Sequence, residues 1–477
     1  MTWCPSSRAS WRRAIEPDGE WQVRVLLVSL NRVRFPYPVY PIGLDYVAAA
    51  IAPAHESLIL DLCPLDDAAI GPAIHAAIRD FAPGAVGVSI RNIDNLEATN
   101  LRAFVEDMRS VVDETRSATT APIVLGGAGF TIYPTELLER LGADFGVVGE
   151  GERACALFDA LEAGRGVGSL PGVAVAGAPS PPAAPLGRGF SPRRAPVADN
   201  PALGFYLDHG GIVGIQTQRG CSLRCVYCTY PGIEGSTRRT FPPEAVAQEA
   251  KQLEAAGARY LFLTDSVFNA DPAHCLAVAD QFRRLRLGIP WGAFFAPLSP
   301  PDGFYARMAA AGCTHVEFGT ESLSDAMLPR FGKPFGFDDV LRAHQAARSA
   351  GLHVAHFMIP GGPGETLRTL DETLDRCDRI TGSAIFFFCG MRICPGTGLE
   401  KLARAAGQIG PGESLLEPVF YEPPGLPLGT IARRVQERAA GRHSWIVGAG
   451  ADRAAALLAR LYERGHTGPL WERLVEA

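Results

Sequence analysis

Arg219-Gly220-Cys221-Ser222-Leu223-Arg224-Cys225-Val226-Tyr227-Cys228 places three cysteines on one short stretch with C-x-x-x-C-x-x-C spacing. Three thiolates this close suit a cubic [4Fe–4S] cluster, which usually takes four cysteines. With only three, one iron is left open to the amine and carboxylate of a bound small molecule. A structural zinc site is the alternative reading. Zinc sites typically pair two C-x-x-C knuckles or recruit histidines, and neither a second cysteine pair nor a histidine lies near this stretch. The spacing therefore predicts an iron–sulfur cluster on Cys221, Cys225 and Cys228.

Around the cysteine stretch the chain reads as alternating strands and helices. Strands are expected at 212–216, 260–264, 289–295, 314–319, 353–358 and 384–392, the first delivering the cysteines. One helix opens at Pro242-Pro243 and stops near Gly257, with Pro at the start and Gly past the end as helices prefer. Asp271 is placed to cap another that begins at Pro272. Six strand–helix units predict an open (β/α)6 barrel over 206–399, with a mostly helical segment at 400–477 able to cover its mouth. Functional groups in such barrels collect at the C-terminal ends of the strands.

Ahead of the barrel, residues 23–30 (VRVLLVSL) form a near-continuous apolar run, as in a strand buried on both faces. Further strands are expected at 58–62, 85–90, 122–125 and 144–148. Helices are expected at 43–52, 67–81, 95–113, 135–141 and 152–163. Five such strands predict a doubly wound, Rossmann-like parallel sheet over 21–164. Its strand ends read Arg91-Asn92, Gly126-Gly127-Ala128-Gly129-Phe130 and Gly149-Glu150-Gly151-Glu152. These are either ligand-approach loops, since glycine lets backbone come close, or only tight turns. No G-x-G-x-x-G follows the first strand, which argues against a dinucleotide. A Pro/Gly-rich connector is expected at 165–205, and residues 1–20 read as a loose tail carrying Arg8, Arg12, Arg13 and Cys4.

The net charge of −6 over 477 residues suggests neither nucleic acid nor an anionic membrane as partner. No run of about 18 apolar residues is present, so no membrane span is expected. Eleven cysteines without a secretory signal point to a reducing cytoplasm. Cys63, Cys155, Cys275, Cys313 and Cys377 read as packing residues, and Cys389 and Cys394 as buried thiols near the last strand end.

With Tyr227 before its last cysteine, the motif resembles the C-x-x-x-C-x-Φ-C signature of the radical S-adenosylmethionine (SAM) superfamily. The Tyr-Pro-x-x-Pro-x-Gly-Leu run from Tyr37 through Pro41 to Leu44, with the glycine-rich strand ends, is similar to its cobalamin-binding branch. That resemblance implies SAM on the open iron and cobalamin on the first sheet. It also implies an electron donor such as flavodoxin or ferredoxin, and methyl transfer to an unactivated carbon, less often phosphorus, of a small metabolite. A non-methylating radical reaction and a plain electron carrier are the alternatives. By the same resemblance Asp265 and Ser266 meet the SAM amino group, Glu321 the ribose, and Gly361, Gly362 and Glu365 the adenine, with Arg392 beside SAM. The lesser alternatives are a helix cap for Asp265 and a surface helix start for Glu321. Tyr37, Pro41, Gly126, Gly127, Gly129, Phe130, Gly149, Glu150 and Gly151 fall to cobalamin. The D-x-H-x-x-G motif that gives cobalt a histidine elsewhere is missing. Arg91 or Asn92 is then the candidate beneath the metal, unless Arg91 only pairs with Asp94. Arg238-Arg239 is left between an anionic substrate, the cluster and solvent.

Overall fold

The computed structural model describes residues 23–35, 37–178, 185–187, 193–448 and 451–475. Cys4 and the arginines of the tail lie outside them. The first sheet contains β1 (Arg24–Ser29), β2 (Glu56–Asp61), β3 (Ala85–Ser89), β4 (Ile123–Gly126), β5 (Phe145–Val147) and β6 (Val173–Val175). Their order is β2-β1-β3-β4-β5-β6, parallel except for β6, which runs antiparallel to β5. The apolar run of β1 feeds two helix layers. Leu26 and Val28 join one core, while Val25 and Leu27 join the other. This is the two-faced burial its sequence requires. β6 is a strand inside the stretch expected to be connector.

One helix departs from expectation. The segment 95–104 is a loop, and the helix runs Val105–Ala118. Short polar side chains compete for the backbone here. Asp94 accepts from the Leu96 N–H, and Asn95 accepts from the Arg102 N–H while donating to the Asn100 carbonyl. Leu96 adopts a φ of 57°. The freed loop crosses to the second sheet, where Ala98 lies against Gly390 and Glu97 against Gly448.

The second sheet starts at β7 (Ile212–Ile215). A two-residue ribbon of β8 (Gln218–Arg219) and β9 (Arg239–Thr240) frames the cysteine loop. The sheet continues through β10 (Tyr260–Leu263), β11 (Trp291–Phe295), β12 (Cys313–Glu321), β13 (His353–Met358) and β14 (Ser383–Phe387). A second ribbon pairs β15 (Met391–Arg392) with β16 (Phe420–Tyr421), and β17 (Trp445–Val447) lies beside β14. The order β17-β14-β13-β12-β11-β10-β7 is an open parallel barrel with a seventh strand beyond the six expected. The last segment is thus not only helical. Its Trp471–Leu474 turn also packs against Ala355 and Ala384 of the barrel. Asp271 caps its helix as expected, accepting from the Ala273 and His274 N–H groups.

Buried ion pairs join the two sheets. Arg194, in the connector, bonds Asp45, Glu249 and the Gly214 carbonyl. Arg392 pairs with Asp94 at 3.1 Å. Glu150 sits between Arg219 and Arg239, at 3.1 and 2.9 Å, and all three side chains are buried. Removing one member of such a cluster strands the others without compensation. Glu150→Ala is therefore expected to cost about 3–5 kcal/mol in denaturant unfolding. Adding Arg239→Met should recover part of that loss, and an unchanged midpoint in the single variant would contradict the hub.

Candidate active site between the two sheets

The cysteine loop is clamped from several sides. The Gly220 N–H donates to Glu234, and the Cys221 N–H donates to the Gly235 carbonyl. Gly220 has a φ of 83°, and a Cβ there would lie 2.4 Å from the Thr237 oxygen, so only glycine fits. Farther along, the Val226 N–H donates to Phe331, and the Leu399 N–H to Val226. Gly332 passes so close that a Cβ on it would fall 2.2 Å from the Arg224 oxygen. Cys221, Cys225 and Cys228 are therefore held by backbone geometry.

The donor set fits an iron–sulfur cluster. Burial raises the pKa of all three thiols, Cys228 to about 12; neighbouring cysteines add to the rise at Cys221 and Cys228, and Glu321 adds to it at Cys225. Three thiolates gathered here require positive charge, which cluster iron supplies. Lys333 supplies more. Burial works against its ammonium, but Glu321 and Cys225 outweigh that and hold its pKa above the usual lysine value. Lys333 Nζ is 2.5 Å from Glu321 and 5.6 Å from the centroid of the Tyr227 ring. Lys333 escaped the sequence reading because nothing in its surroundings links it to the cysteines 105 positions earlier. A lysine following a glycine that crosses the cysteine loop was the only cue.

Glu321 reaches this place through strain. A register shift interrupts the β12–β13 pairing between Gly319 and Glu321, and Glu321 itself has a φ of 59°. That conformation costs a non-glycine residue roughly 1–2 kcal/mol. It turns the carboxylate onto Lys333, so Glu321 is neither on the surface nor free.

Other expected SAM contacts are distributed unevenly. Asp265 is fully engaged elsewhere. One oxygen accepts from the Thr217 and Gln218 N–H groups at 2.8 and 3.2 Å, and the other accepts from the Thr217 hydroxyl. Burial pushes its pKa to about 7. It anchors the strand that feeds the cluster loop and caps no helix. Ser266 beside it has a buried hydroxyl without a partner, as a ligand contact would need. Glu365 accepts from the Gly361 and Gly362 N–H groups at 2.5 and 3.3 Å, and so shapes the glycine turn rather than reaching beyond it. Arg392 is occupied by Asp94 and the carbonyls of Ile393 and Leu415. Arg239 is likewise bound to Glu150, while Arg238 bonds Asp271 and the Ala270 carbonyl. Neither is a free surface arginine.

On the first sheet a cavity of about 210 Å³ opens at the carboxyl ends of β1, β3, β4 and β5. Gly126, Gly127, Gly149 and Gly151 line it, and Gln216, Arg219 and Glu234 reach it from the barrel side. A Cβ on Gly126 would meet only one atom within 4.0 Å, so any side chain there would project into the cavity. The cradle fits a cobalamin group entering at the strand ends. Several residues expected to line it do not. Phe130 is wholly buried core, its ring where a Gly146 side chain would be, and Gly129 packs on Ile90 and Arg91. Glu150 borders the cavity but its carboxylate is taken by the two arginines. Pro41 starts the Ile42–Ile51 helix, and Tyr37 packs against Ile212, Tyr260 and Phe262 of the barrel. Arg91 and Asn92 line a neighbouring cavity of about 450 Å³ at the ends of β1 and β3. Asp94 belongs to Arg392, and Arg91 instead lies near Tyr37 and Tyr230, where its charge partly opposes the rise that burial gives both phenols' pKa.

Residues 28–158 match the B12 binding domain and residues 215–377 match the radical SAM superfamily. The chain is a B12-binding radical SAM protein. Its cofactors are those of that family: a [4Fe–4S] cluster, SAM and cobalamin. A tryptophan 2-C-methyltransferase of Streptomyces laurentii is 29% identical over 460 residues, covering 79% of this chain and 74% of the relative. A cytidylyl-2-hydroxyethylphosphonate methyltransferase of Streptomyces wedmorensis is 24% identical, covering 86% and 87%. The solved radical SAM methyltransferase TsrM of Kitasatospora setae, holding tryptophan and a SAM analogue, superposes with a TM-score of 0.82. Identity there is 25%, covering 95% of this chain and 98% of that one.

Two kinds of substitution separate ligation from support in this B12-binding radical SAM protein. Alanine at Cys221, Cys225 or Cys228 should abolish the cluster's visible absorbance and SAM cleavage. Asp265→Ala leaves the thiols but orphans two buried N–H groups, at about 1–3 kcal/mol each. Iron should then bind at first and be lost on gel filtration; full retention would show that Asp265 does not hold the loop.

Proposed function

We propose that this protein is a cobalamin-dependent radical SAM methyltransferase, acting on a carbon, or less often a phosphorus, of a small metabolite in natural-product or lipid biosynthesis. One observation carries the reading. The glycine-lined cavity of the first sheet is walled on its far side by Gln216, Arg219 and Glu234, which flank the cluster loop. A methyl carrier held in that cavity and a SAM molecule held at the loop would share one interface. Methyltransferase relatives aligned across both halves support methyl transfer over a rearrangement.

When bound, SAM would supply the methyl group and the radical, and cobalamin would act as the methyl carrier. The chain's own residues position and shield. The Lys333 ammonium next to Cys225 attracts a carboxylate at the open iron, and the unpartnered Ser266 hydroxyl offers a polar contact. Gly361 and Gly362, held by Glu365, present backbone to a flat ring edge. Ser222 and Arg224 reach the surface from the cluster loop, giving a reduced flavodoxin or ferredoxin a short path to the cluster. A cluster so placed favours a reducing cytoplasm. Among the described residues no helix is long and apolar enough to cross a membrane.

Anaerobic turnover with SAM, cobalamin and candidate metabolites tests the reading. S-adenosylhomocysteine and 5′-deoxyadenosine are expected in roughly equal amounts, with a product heavier by one methyl group. 5′-Deoxyadenosine alone, with substrate consumed, would support the non-methylating alternative; no SAM cleavage would support the electron carrier.

Cobalt should carry no protein nitrogen. The loop 31–41 contains no histidine. His55 is paired with Asp159 and His75 with Glu114. Arg91, cationic and a non-ligand, stands at the end of β3. The electron paramagnetic resonance spectrum of enzyme-bound cobalamin in its cobalt(II) state should lack a lower-ligand nitrogen splitting; observing one would refute this arrangement.

A further inference from the structure

Alternate residues of β12 point into the barrel lumen. Glu317 is level with Phe294 on β11 and Ala355 on β13; two residues on, Gly319 is level with Phe357, which is level with Phe386. The rings form a continuous wall. Phe262 and Phe294 have centroids 4.9 Å apart, Phe294 and Phe357 6.2 Å, Phe357 and Phe386 5.1 Å, and Phe357 and Phe388 6.1 Å. Phe294 sits on an interior strand, flanked on both sides, and is still 39% exposed. An inward side chain with that exposure borders open space inside the barrel.

Glu317 stands at the base of this wall and is 4% exposed. Among the described residues its one side-chain hydrogen bond comes from the Trp471 indole N–H, at 2.9 Å, and no cation pairs with it. A buried carboxyl with one partner is costly, and burial raises its pKa to about 7. Packing alone would not select it, since an apolar residue would fill the position beside Ala355 at less cost. A carboxyl kept under an aromatic wall is suited to read a polar donor on a flat ring.

We propose that Glu317 is a substrate-specificity residue, and that the substrate is a nitrogen-bearing aromatic metabolite whose ring lies against Phe294 and Phe357 while its N–H or ammonium group bonds Glu317. This rests on the methyltransferase reading, with the lumen as its substrate chamber. The phenylalanines supply apolar and stacking area, and the carboxyl supplies discrimination. A site built around a donor rejects the analogue lacking it, because the acceptor is left buried and unpaired.

The test compares L-tryptophan with its isostere β-(3-benzothienyl)-L-alanine, whose sulfur replaces the ring N–H. Binding is measured calorimetrically on the reconstituted enzyme with cobalamin and S-adenosylhomocysteine present. The wild type should prefer tryptophan by about ten- to a hundredfold, the worth of a hydrogen bond to a charged group. Glu317→Gln keeps an oxygen for Trp471 and should bring the two ligands within about threefold, with the melting temperature unchanged. Trp471→Phe removes that indole bond and should leave the preference intact. An unchanged preference in Glu317→Gln would overturn the assignment. So would failure of both ligands to bind an enzyme that still converts SAM to S-adenosylhomocysteine in the presence of reduced cobalamin. Loss of that conversion as well would overturn the methyltransferase reading with it.

Discussion

The architecture depends on a buried charge cluster. Glu150 stands in the turn after β5 of the first sheet, and Arg219 stands two residues ahead of Cys221; their ion pair, shared with Arg239 and with Glu152 at 2.8 Å, ties the turn after β5 to the loop that carries the cysteines. Such a cluster is poor evidence for stability, since desolvation consumes most of the Coulombic gain. Its directional value is larger. Arg219 presents a planar fork, and two carboxylates two residues apart in one turn of the first domain fill it. The cluster loop is therefore registered against the strand ends that form the glycine-lined cavity. Asp45–Arg194–Glu249 and Asp94–Arg392 repeat the device at two other points of the same interface. Three buried arginine centres resist sliding between the sheets in a way that an apolar seam would not.

Much of this was legible from periodicity. The run in β1 announces a strand covered on both faces, and the helix Asp67–Phe81 is found at its expected ends. The cysteine spacing needs no tertiary knowledge, because its ligands share one loop. What periodicity does not carry is the partner of a polar side chain. Glu150, Asp265 and Arg392 stand at the strand ends where ligand contacts were expected, yet each is spent on protein groups 48 to 298 residues away. The same limit hid Lys333 and Glu317, whose meaning depends on what faces them. β17 was missed for a related reason: three residues, Trp445–Val447, are too few to show a pattern.

The strained turn at Glu321 follows from these commitments. A β-strand that continued regularly would point the carboxylate on along the barrel wall. The register shift after Gly319 instead folds it back onto Lys333, beside Cys225 and Tyr227. The cost of a left-handed φ is repaid locally by a buried ion pair, and strain held in this way is common where a ligand must meet a fixed group. The pair also sets charge near the cluster, since a lysine alone would be desolvated and prone to lose its proton.

Polar groups in this interior divide into two kinds. Asp265, Glu365 and Glu150 are saturated by backbone N–H groups or arginines, and they fix loops. Ser266 and Glu317 keep hydrogen-bonding capacity in buried positions, while Lys333 is held by Glu321. Buried polar groups are ordinarily satisfied, so the unsaturated ones mark where the fold leaves room for something outside itself. They occupy the end of β10 and the lumen face of β12. Arrangement, more than any single side chain, sets the chemistry this chain can support.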